Sequence, residues 1–255
     1  MENQENLLQQ FVDIFSRKTY LSLRSRSSLP RYLRWLFEDI DLNDAVVFDI
    51  GGGTGLISFY AVQRGARSAV CVEPLADGSR SDMLASFQVA AKSVAGGERV
   101  KLETVDLATF ATLGLAKADI VVLHNVVNHL DEAACAELGT GNREARDSFV
   151  RIFETVRSLM REDGTVIVAD AGRDSFWTDL GVRNVFAPTI DRTVHQQPEV
   201  WRDLMEEAGF INPSIRWTPF FSLMTGIGEP PKKLGARALS AYYSLGHFVI
   251  TMRAP

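Results

Sequence analysis

Short apolar runs alternate with helical segments along most of this chain, and this alternation limits the possible folds more than any other feature. The apolar runs predict seven strands, at Ala45–Ile50, Ser68–Glu73, Val100–Val105, Ala118–His124, Thr165–Asp170, Ile211–Thr218 and His247–Arg253. Apolar spacings of three and four residues predict helices at Leu56–Arg64, at about Ser79–Val94 and from Ala145 to Met160, the last closed by Asp163 and Gly164. Strands that alternate with helices form a parallel sheet covered on both faces. The sequence thus predicts a doubly wound, mostly parallel α/β fold.

The last third of the chain is less regular. Phe176–Gln197 has no clear period and is predicted to be a loop-rich insertion, whereas Pro198–Ala208 is predicted to be helical. A long connection with a short predicted helix at Leu234–Tyr243 precedes the last strand. Connections of this length in a compact domain are more often functional than idle. We therefore predict substrate-side insertions at about 171–197 and 219–246.

Two amphipathic helices are predicted before the first strand, one through Leu7–Phe15 and one through Leu33–Ile40. They define a predicted N-terminal helical cap at 1–40, ahead of the main domain at 41–255. Between them, Ser16–Arg34 carries six basic residues and no acid. This stretch either is a solvated face that pairs with the acidic body, or it brings Arg24 or Arg26 to an anionic acceptor.

Charge and cysteine content exclude several classes of protein. Lys and Arg total 27 against 32 for Asp and Glu, a net charge of −5, whereas a duplex-DNA binder usually needs the opposite sign. Cys71 and Cys135, the two cysteines, make neither a disulfide framework nor a zinc site. Met1–Gln10 lacks the features of a signal peptide, and no apolar run is long enough to span a membrane. A cytoplasmic protein without nucleic-acid or membrane partners is predicted.

The strongest local motif is a glycine-rich turn directly after the first predicted strand. Gly51, Gly53 and Gly55 follow Ile50 and precede the next helix. Glycine is needed where the backbone takes a positive φ or where a ligand must touch the main chain. In open α/β sheets, ligands bind at the carboxyl ends of the strands, beside such a turn.

Acidic residues close the next two predicted strands. Glu73 can accept both hydrogen bonds of a ribose diol, and Asp106 is placed to receive an adenine amino group. Together with the glycine turn they predict an adenosine site. The dinucleotide fingerprint fits poorly, because Leu56 and Ser58 stand three residues after Gly53 and Gly55, where a third glycine is expected. No Gly-Lys-Ser/Thr sequence follows the turn, so Walker A chemistry is also excluded.

The sequence Asp-Ile-Gly-Gly-Gly-Thr-Gly at 49–55, with Glu73, Asp106 and the end of the fourth strand, resembles the class I S-adenosylmethionine-dependent methyltransferases. The resemblance covers about Ala45–Gly209 well and implies a seven-stranded sheet with the last strand antiparallel. It implies Asp49 and Gly51 near the methionine part of S-adenosylmethionine, Glu73 on the ribose and Asp106 on the adenine. The full set of predicted cofactor-binding residues is Asp49, Gly51, Gly53, Gly55, Glu73, Asp106, Leu107, His124 and Asn125.

Candidate catalytic groups follow the fourth and fifth strands, where this fold places its reaction centre. His124 and His129 fall within six residues of one another. His129 is the leading candidate for a base or orienting group, with a helix-capping role as the alternative, while His124 is predicted to lie along the cofactor. His195, in the insertion after the fifth strand, is the second candidate base. Aromatic residues of this insertion, such as Trp177 and Trp201, suit a small, flat or polar acceptor, or else simply pack a lid.

Two further sequence features concern metal binding and the type of acceptor. Similar quinone-pathway O-methyltransferases carry acids where Asn125 and Asn128 stand here, and amides are poor metal anchors, so no metal is predicted. The Asn/Asp-Pro-Pro-aromatic tetrad of nucleobase amino methyltransferases is missing after the fourth strand, which argues against a nucleic-acid acceptor.

The sequence therefore predicts a methyltransferase that moves the methyl group of S-adenosylmethionine to an O or N atom of a small acceptor, possibly an anionic one, by in-line displacement and releases S-adenosylhomocysteine. A monomer or homodimer is expected. The alternatives are a nicotinamide-dependent oxidoreductase on a similar fold and a binding module that holds S-adenosylmethionine without turnover.

Overall fold

A computed structural model of the protein describes residues 11–15, 28–75, 83–184, 190–219, 234–244 and 246–255. Seven strands form one sheet: β1 (Val46–Ile50), β2 (Ser68–Val72), β3 (Val100–Glu103), β4 (Ala118–His124), β5 (Met160–Ala171), β6 (Ile211–Trp217) and β7 (His247–Arg253). Their order across the sheet is β3-β2-β1-β4-β5-β7-β6. The strands β1 to β5 pair in parallel, and β7 runs antiparallel to β5 and β6. The predicted doubly wound, mostly parallel sheet with an antiparallel last strand is confirmed.

Helices connect the strands and cover both faces of the sheet. They are α1 (Ser28–Leu36), α2 (Leu56–Gln63), α3 (Met83–Ser93), α4 (Leu107–Ala111), α5 (Glu132–Leu138), α6 (Arg143–Ser158), α7 (Phe176–Asp179), α8 (Pro198–Glu207) and α9 (Leu234–Tyr243), besides a helical segment at 11–15. Short 3-10 turns lie at Gly97–Arg99, Val127–Leu130 and Arg192–Val194. None of the helices in the described ranges is both long and apolar enough to cross a membrane.

Alternate residues of the central strands supply two hydrophobic cores. In β4, Ile120 and Val122 face the core formed with α1, α2 and α3. Val121 and Leu123 face the opposite core, formed with α5, α6 and α8. Because successive side chains of a strand point to opposite faces, one apolar run serves both cores. This double burial fixes the sheet, and with it the positions of the strand ends.

The β5 strand begins earlier than the sequence predicts. Apolar spacing extends the preceding helix to Met160 and closes it at Asp163 and Gly164, but α6 ends at Ser158 and Met160 already pairs with Ala118. The next pairs start at Ile120 and Thr165, so β5 advances five residues while β4 advances two, and the chain bulges between them. Asp163 takes a left-handed φ of 58° in this bulge, which explains why a turn signal lies inside a strand.

The N-terminal helices are packed into the same core as the central strands. Ring centroids of Phe11 and Tyr60 lie 6.1 Å apart, and those of Phe15 and Phe59 lie 6.0 Å apart. Arg216 of β6 donates hydrogen bonds of 3.0 Å to two of the last carbonyls of α1 and thereby caps that helix. The division into a cap at 1–40 and a domain at 41–255 stays a prediction, and Arg24 and Arg26 lie outside the described residues.

Candidate functional site

A cleft of about 870 Å³ opens at the carboxyl ends of β1 to β4 (the sheet-end cleft). Chain order reverses here, because β1 lies between β2 and β4, and this is where open α/β sheets bind ligands. Its lining comes from the ends of four strands and from α3, α4, α5 and α6. The predicted site residues that line it are Gly51, Gly53, Glu73, Asp106, Leu107, Asn125 and His129. A cleft of this volume is in the usual range for a small-molecule site.

Two glycines of the turn have different neighbours. Gly51 and Gly53 take left-handed φ angles of 66° and 54°. A Cβ atom at Gly51 would lie 2.1 Å from Cγ2 of Val126, whereas a Cβ atom at Gly53 would have nothing within 4 Å. Gly51 therefore makes room for the neighbouring chain after β4. Gly53 presents bare main chain to the open cleft.

Gly55 has a packing role. Its φ is 83°, and a Cβ atom there would lie 2.7 Å from the ring of Phe59 and 3.0 Å from that of Phe87. Gly55 does not line the sheet-end cleft. It begins α2 without a side-chain cap and brings that helix close to the turn.

Asp49 lies beneath the turn and not in the cleft. It is fully buried, and its Oδ2 accepts hydrogen bonds from the backbone N–H (3.1 Å) and the hydroxyl (2.8 Å) of Ser58 in α2. Its Oδ1 has no partner among the described residues. Burial is the largest cause that raises the pKa of Asp49, to about 6, and the negative charge of Glu73 adds to it. Asp49 ties the glycine turn to the first turn of α2.

The Asp49→Asn variant should lose part of the pH dependence of stability. The folded protein binds the Asp49 proton more tightly than the unfolded chain does, so this group's contribution is complete below pH ~4 and is lost as the pH rises through about 6. About two pKa units correspond to roughly 3 kcal/mol. The measurement is urea unfolding of wild type and variant from about pH 4 to about 7.5. In roughly this range Asp49 titrates in the folded and the unfolded state. Parallel curves would contradict the prediction. Asp191→Asn is the control and should run parallel to wild type, because hydrogen bonds from Thr193 lower the pKa of Asp191 and its titration therefore lies below this pH range.

Two acids line the sheet-end cleft near the glycine turn. Oε2 of Glu73, directly after β2, accepts a hydrogen bond of 3.0 Å from the backbone N–H of Gly53. Asp106 caps α4: its Oδ1 accepts from the N–H of Thr109 at 2.7 Å, and these hydrogen bonds lower its pKa. Glu73 is therefore held against the glycine turn, and Asp106 is fixed at the neighbouring strand end.

His129 lines the cleft on the side of α5. Its side chain is 54% exposed, and its Nδ1 lies 2.5 Å from Oε1 of Glu132, three residues on. When Nδ1 donates to this carboxylate, Nε2 carries the free lone pair. A capping role finds no support in the described contacts, because Asp131 and not His129 caps α5.

His195 lies away from the cleft, behind the end of β5. Its Nδ1 is 3.3 Å from Oδ1 of Asp170, close enough for an ion pair but not aligned for a hydrogen bond. Oδ1 of Asp170 accepts instead from the N–H of Ala171 at 2.7 Å. Oδ2 of Asp170 and Nδ1 of His195 thus have no hydrogen-bond partner among the described residues. The structure does not bring His195 and His129 together.

A second polar group surrounds His124, which also does not line the cleft. The hydroxyl of Tyr32, in α1, lies 2.7 Å from Nε2 of His124 and 3.5 Å from Nε2 of His247. Oδ1 of Asn125 lies 3.3 Å from the same His247 atom, and the Thr218 hydroxyl lies 2.7 Å from its Nδ1. Tyr32, His124, Asn125, Thr218 and His247 are called the Tyr32 cluster. Asn125 belongs to both places, since it also lines the sheet-end cleft.

Aromatic residues of the insertion after β5 divide between the core and the surface. Trp201 of α8 is fully buried, with its ring 4.9 Å from Phe149 and 6.2 Å from Phe153, so it is part of the core and not of an acceptor wall. Trp177 of α7 donates a 3.1 Å hydrogen bond to the carbonyl of Tyr243. In the described residues, no group of three or more His, Cys, Asp or Glu side chains could hold a metal ion.

Comparison with solved structures supports the fold. No protein-family model and no curated protein matches the sequence. Among solved structures, a SAM-dependent methyltransferase from Archaeoglobus fulgidus has a TM-score of 0.57 and 15% identity, with 91% of this chain and 96% of that chain covered. Magnesium protoporphyrin IX methyltransferase (ChlM) from Synechocystis, solved with SAH bound, has 0.52 and 17%, with 89% and 82% covered.

The third is the pyocyanin biosynthetic protein PhzM, with a TM-score of 0.56, 17% identity and 90% of this chain covered, although the chain spans only 56% of its length. At these identities the likeness shows the fold. The chain has the class I methyltransferase fold. This is the fold that the resemblance of the glycine motif and its acidic partners implies.

Proposed function

We propose that the protein transfers the methyl group of S-adenosylmethionine to an O or N atom of a small-molecule acceptor. The single observation that carries the proposal is the sheet-end cleft, where bare main chain at Gly53 faces open space beside the carboxylate of Glu73. A strand–helix turn that binds no ligand does not need open space beside its main chain. The solved structures of similar fold include ChlM with SAH bound, which supports the same choice of cofactor.

The cleft residues fit an adenosyl cofactor. Glu73 would hold the ribose hydroxyls, Asp106 and Leu107 the adenine, and the main chain at Gly51 and Gly53 the methionine part. When bound, S-adenosylmethionine supplies an electrophilic methyl group on a positively charged sulfur. An in-line displacement requires mainly that the walls of the site exclude water and fix the direction of approach once cofactor and acceptor are bound.

The protein's own groups then have to orient the acceptor. His129 is the candidate in the cleft, because Glu132 fixes its ring and leaves the other nitrogen available. His195 is the second candidate, behind β5 and beside Asp170. A neutral amine needs little more than alignment, whereas a hydroxyl acceptor usually needs a base.

Two alternatives compete with this proposal. A nicotinamide-dependent oxidoreductase would use the same cleft, but the glycine spacing after β1 disfavours it. A binding module would keep the cofactor without turnover, and the histidines and amides after β4 favour an enzyme. A net charge of −5 favours a small acceptor over nucleic acid. A cytoplasmic location, the absence of a metal and a monomer or homodimer belong to the same proposal.

The test is titration calorimetry with S-adenosylhomocysteine, S-adenosylmethionine and NAD, on wild type and on Glu73→Gln. We expect both adenosyl ligands to bind and NAD not to bind. In the variant, an amide donor replaces one carboxylate oxygen, so a charge-assisted hydrogen bond to the ribose is lost and affinity should fall about 10- to 100-fold.

The matched control is Glu103→Gln, at the end of the neighbouring strand β3. Glu103 pairs with Lys101 at 2.5 Å and does not line the cleft, so this variant should bind like wild type. NAD binding without adenosyl ligands would reject the methyltransferase proposal. Equal losses in the two variants would reject the role of Glu73.

A further inference from the structure

Three of the chain's four histidines gather at the ends of β4 and β5 and at the start of β7. The rings of His124 and His247 are 6.5 Å apart, and the Tyr32 ring lies 5.7 Å from the first and 5.8 Å from the second. His195 lies close enough to His247 to affect its pKa. These contacts join α1, β4 and β7, which are far apart in sequence, and nothing in the proposed cofactor site uses them.

The hydroxyl of Tyr32 and the amide of Asn125 both lie within hydrogen-bond distance of the His124 ring. When the neutral ring carries its proton on Nδ1, Nε2 of His124 carries the lone pair and accepts from the Tyr32 hydroxyl at 2.7 Å. Nδ2 of Asn125 lies 3.2 Å from both ring nitrogens, so this amide can also donate to the nitrogen that carries the lone pair. In that tautomer His124 offers one hydrogen-bond acceptor, and a weakly acidic hydroxyl lies at it.

The electrostatics of the cluster are unusual because both imidazoles are neutral and no acid touches them. Burial lowers the pKa of His124 to about 4, and burial, followed by His124, Arg192 and His195, lowers the pKa of His247 to about 3. No carboxylate among the described residues contacts either ring, since Asp170 faces His195. The Arg192 guanidinium is the nearby full charge that acts on His247.

We propose that the Tyr32 cluster is the acceptor site of the methyltransferase, that it binds an acidic hydroxyl group of phenol or enol type, and that His124 accepts its proton. The inference rests on the proposed function. Asn125 connects the Tyr32 cluster with the sheet-end cleft, because it contacts His124 and His247 and also lines the cleft. A protonated amine would meet neutral rings and a guanidinium without a carboxylate. A developing phenolate would meet the Tyr32 hydroxyl and the field of Arg192.

The proposed step couples a proton transfer to the methyl transfer. The acceptor hydroxyl replaces Tyr32 as donor to Nε2 of His124, and Tyr32 turns to donate to the acceptor oxygen. The oxygen forms a bond to the methyl carbon as the sulfur–methyl bond breaks, with its electron pair left on the sulfur. The hydroxyl proton moves to Nε2 and then to water, because an imidazolium in this buried place loses its proton readily at neutral pH.

The experiment measures transfer of tritium-labelled methyl from S-adenosylmethionine to matched pairs of ring compounds: para-nitrophenol with para-nitrobenzylamine, and catechol with ortho-xylylenediamine. We expect label in hydroxyl members only. His124→Gln should lower kcat/KM about 100-fold or more, as loss of a base does. Tyr32→Phe, which keeps the ring, should lower it about tenfold. Binding of S-adenosylhomocysteine should not change in either variant.

The control is Tyr60→Phe, a buried tyrosine of the same hydrophobic core that has no contact with His124. Label in the amines, no label in any hydroxyl member, or full activity in His124→Gln and Tyr32→Phe would each overturn the proposal. An acid limb of kcat/KM at the ordinary histidine value of about 6.5, instead of near 4 or below the measurable range, would also overturn it. The proposed function fails separately, by the absence of S-adenosylhomocysteine binding to wild type.

Discussion

A Gly53→Ala variant is expected to stay folded and to bind S-adenosylhomocysteine at least ~100-fold more weakly, a loss of about 2.7 kcal/mol. The added methyl group has nothing within 4 Å, so it meets no protein atom and points into the sheet-end cleft. A ligand that contacts the main chain there would meet the methyl group directly. The left-handed φ of 54° adds strain of about 1–2 kcal/mol to the folded state.

Gly114→Ala separates these two effects. Gly114 has a φ of 65°, nothing lies within 4 Å of a Cβ atom there, and it is not in the cleft. Urea unfolding should therefore show similar losses of stability for both variants, while calorimetry should show lost affinity for Gly53→Ala alone. Unchanged affinity in Gly53→Ala would mean that the ligand does not approach the glycine turn, and the cofactor site proposed here would be wrong.

The sheet could be predicted from the sequence because its central strands are buried on both faces. Val121 and Val122 face different cores, so the run has no alternation and its apolar character is evident without any knowledge of neighbours. The short helix α4 carries little periodicity, and no helix is predicted there. The start of β5 was missed because the bulge at Asp163 has the local signal of a turn.

The candidate site was only partly predictable, because some of its contacts join residues that are far apart in the sequence. Glu73 and Asp106 each follow a strand, and parallel strands bring their carboxyl ends together, so their meeting at one cleft follows from order alone. Tyr32 and His247 are 215 residues apart, and their contact depends on how α1 packs. In the sequence Tyr32 is one more apolar residue of a helix face, and no local signal marks it.

The position of Asp49 could not be predicted from the motif, because a motif does not fix the direction of a side chain. Its place in the glycine motif implies a position near the cofactor, but side chains of β1 alternate between the two faces, and the carboxylate turns beneath the turn toward Ser58. A motif gives the residue types of a site. Which of them touch the ligand and which hold the turn depends on side-chain directions that the motif does not contain.

A Gly51→Ala variant is expected to lose about 2–5 kcal/mol of stability, the largest loss among the turn variants, because two costs add. The left-handed φ of 66° costs about 1–2 kcal/mol for alanine. A Cβ atom would lie 2.1 Å from Cγ2 and 2.7 Å from Cβ of Val126, too close for a branched side chain that cannot rotate away, and overpacking costs about 1–3 kcal/mol more.

The double variant Gly51→Ala/Val126→Ala tests this reason directly. Removal of the Val126 methyl groups relieves the overpacking with its Cγ atoms and leaves the backbone strain, so the two changes should be strongly non-additive, with a coupling of about 1–3 kcal/mol. Val126→Ala alone is the reference for the lost packing. Urea unfolding of all four proteins gives the cycle. Additive losses would mean that Gly51 is required only for its φ, and that the chain after β4 does not press against the glycine turn.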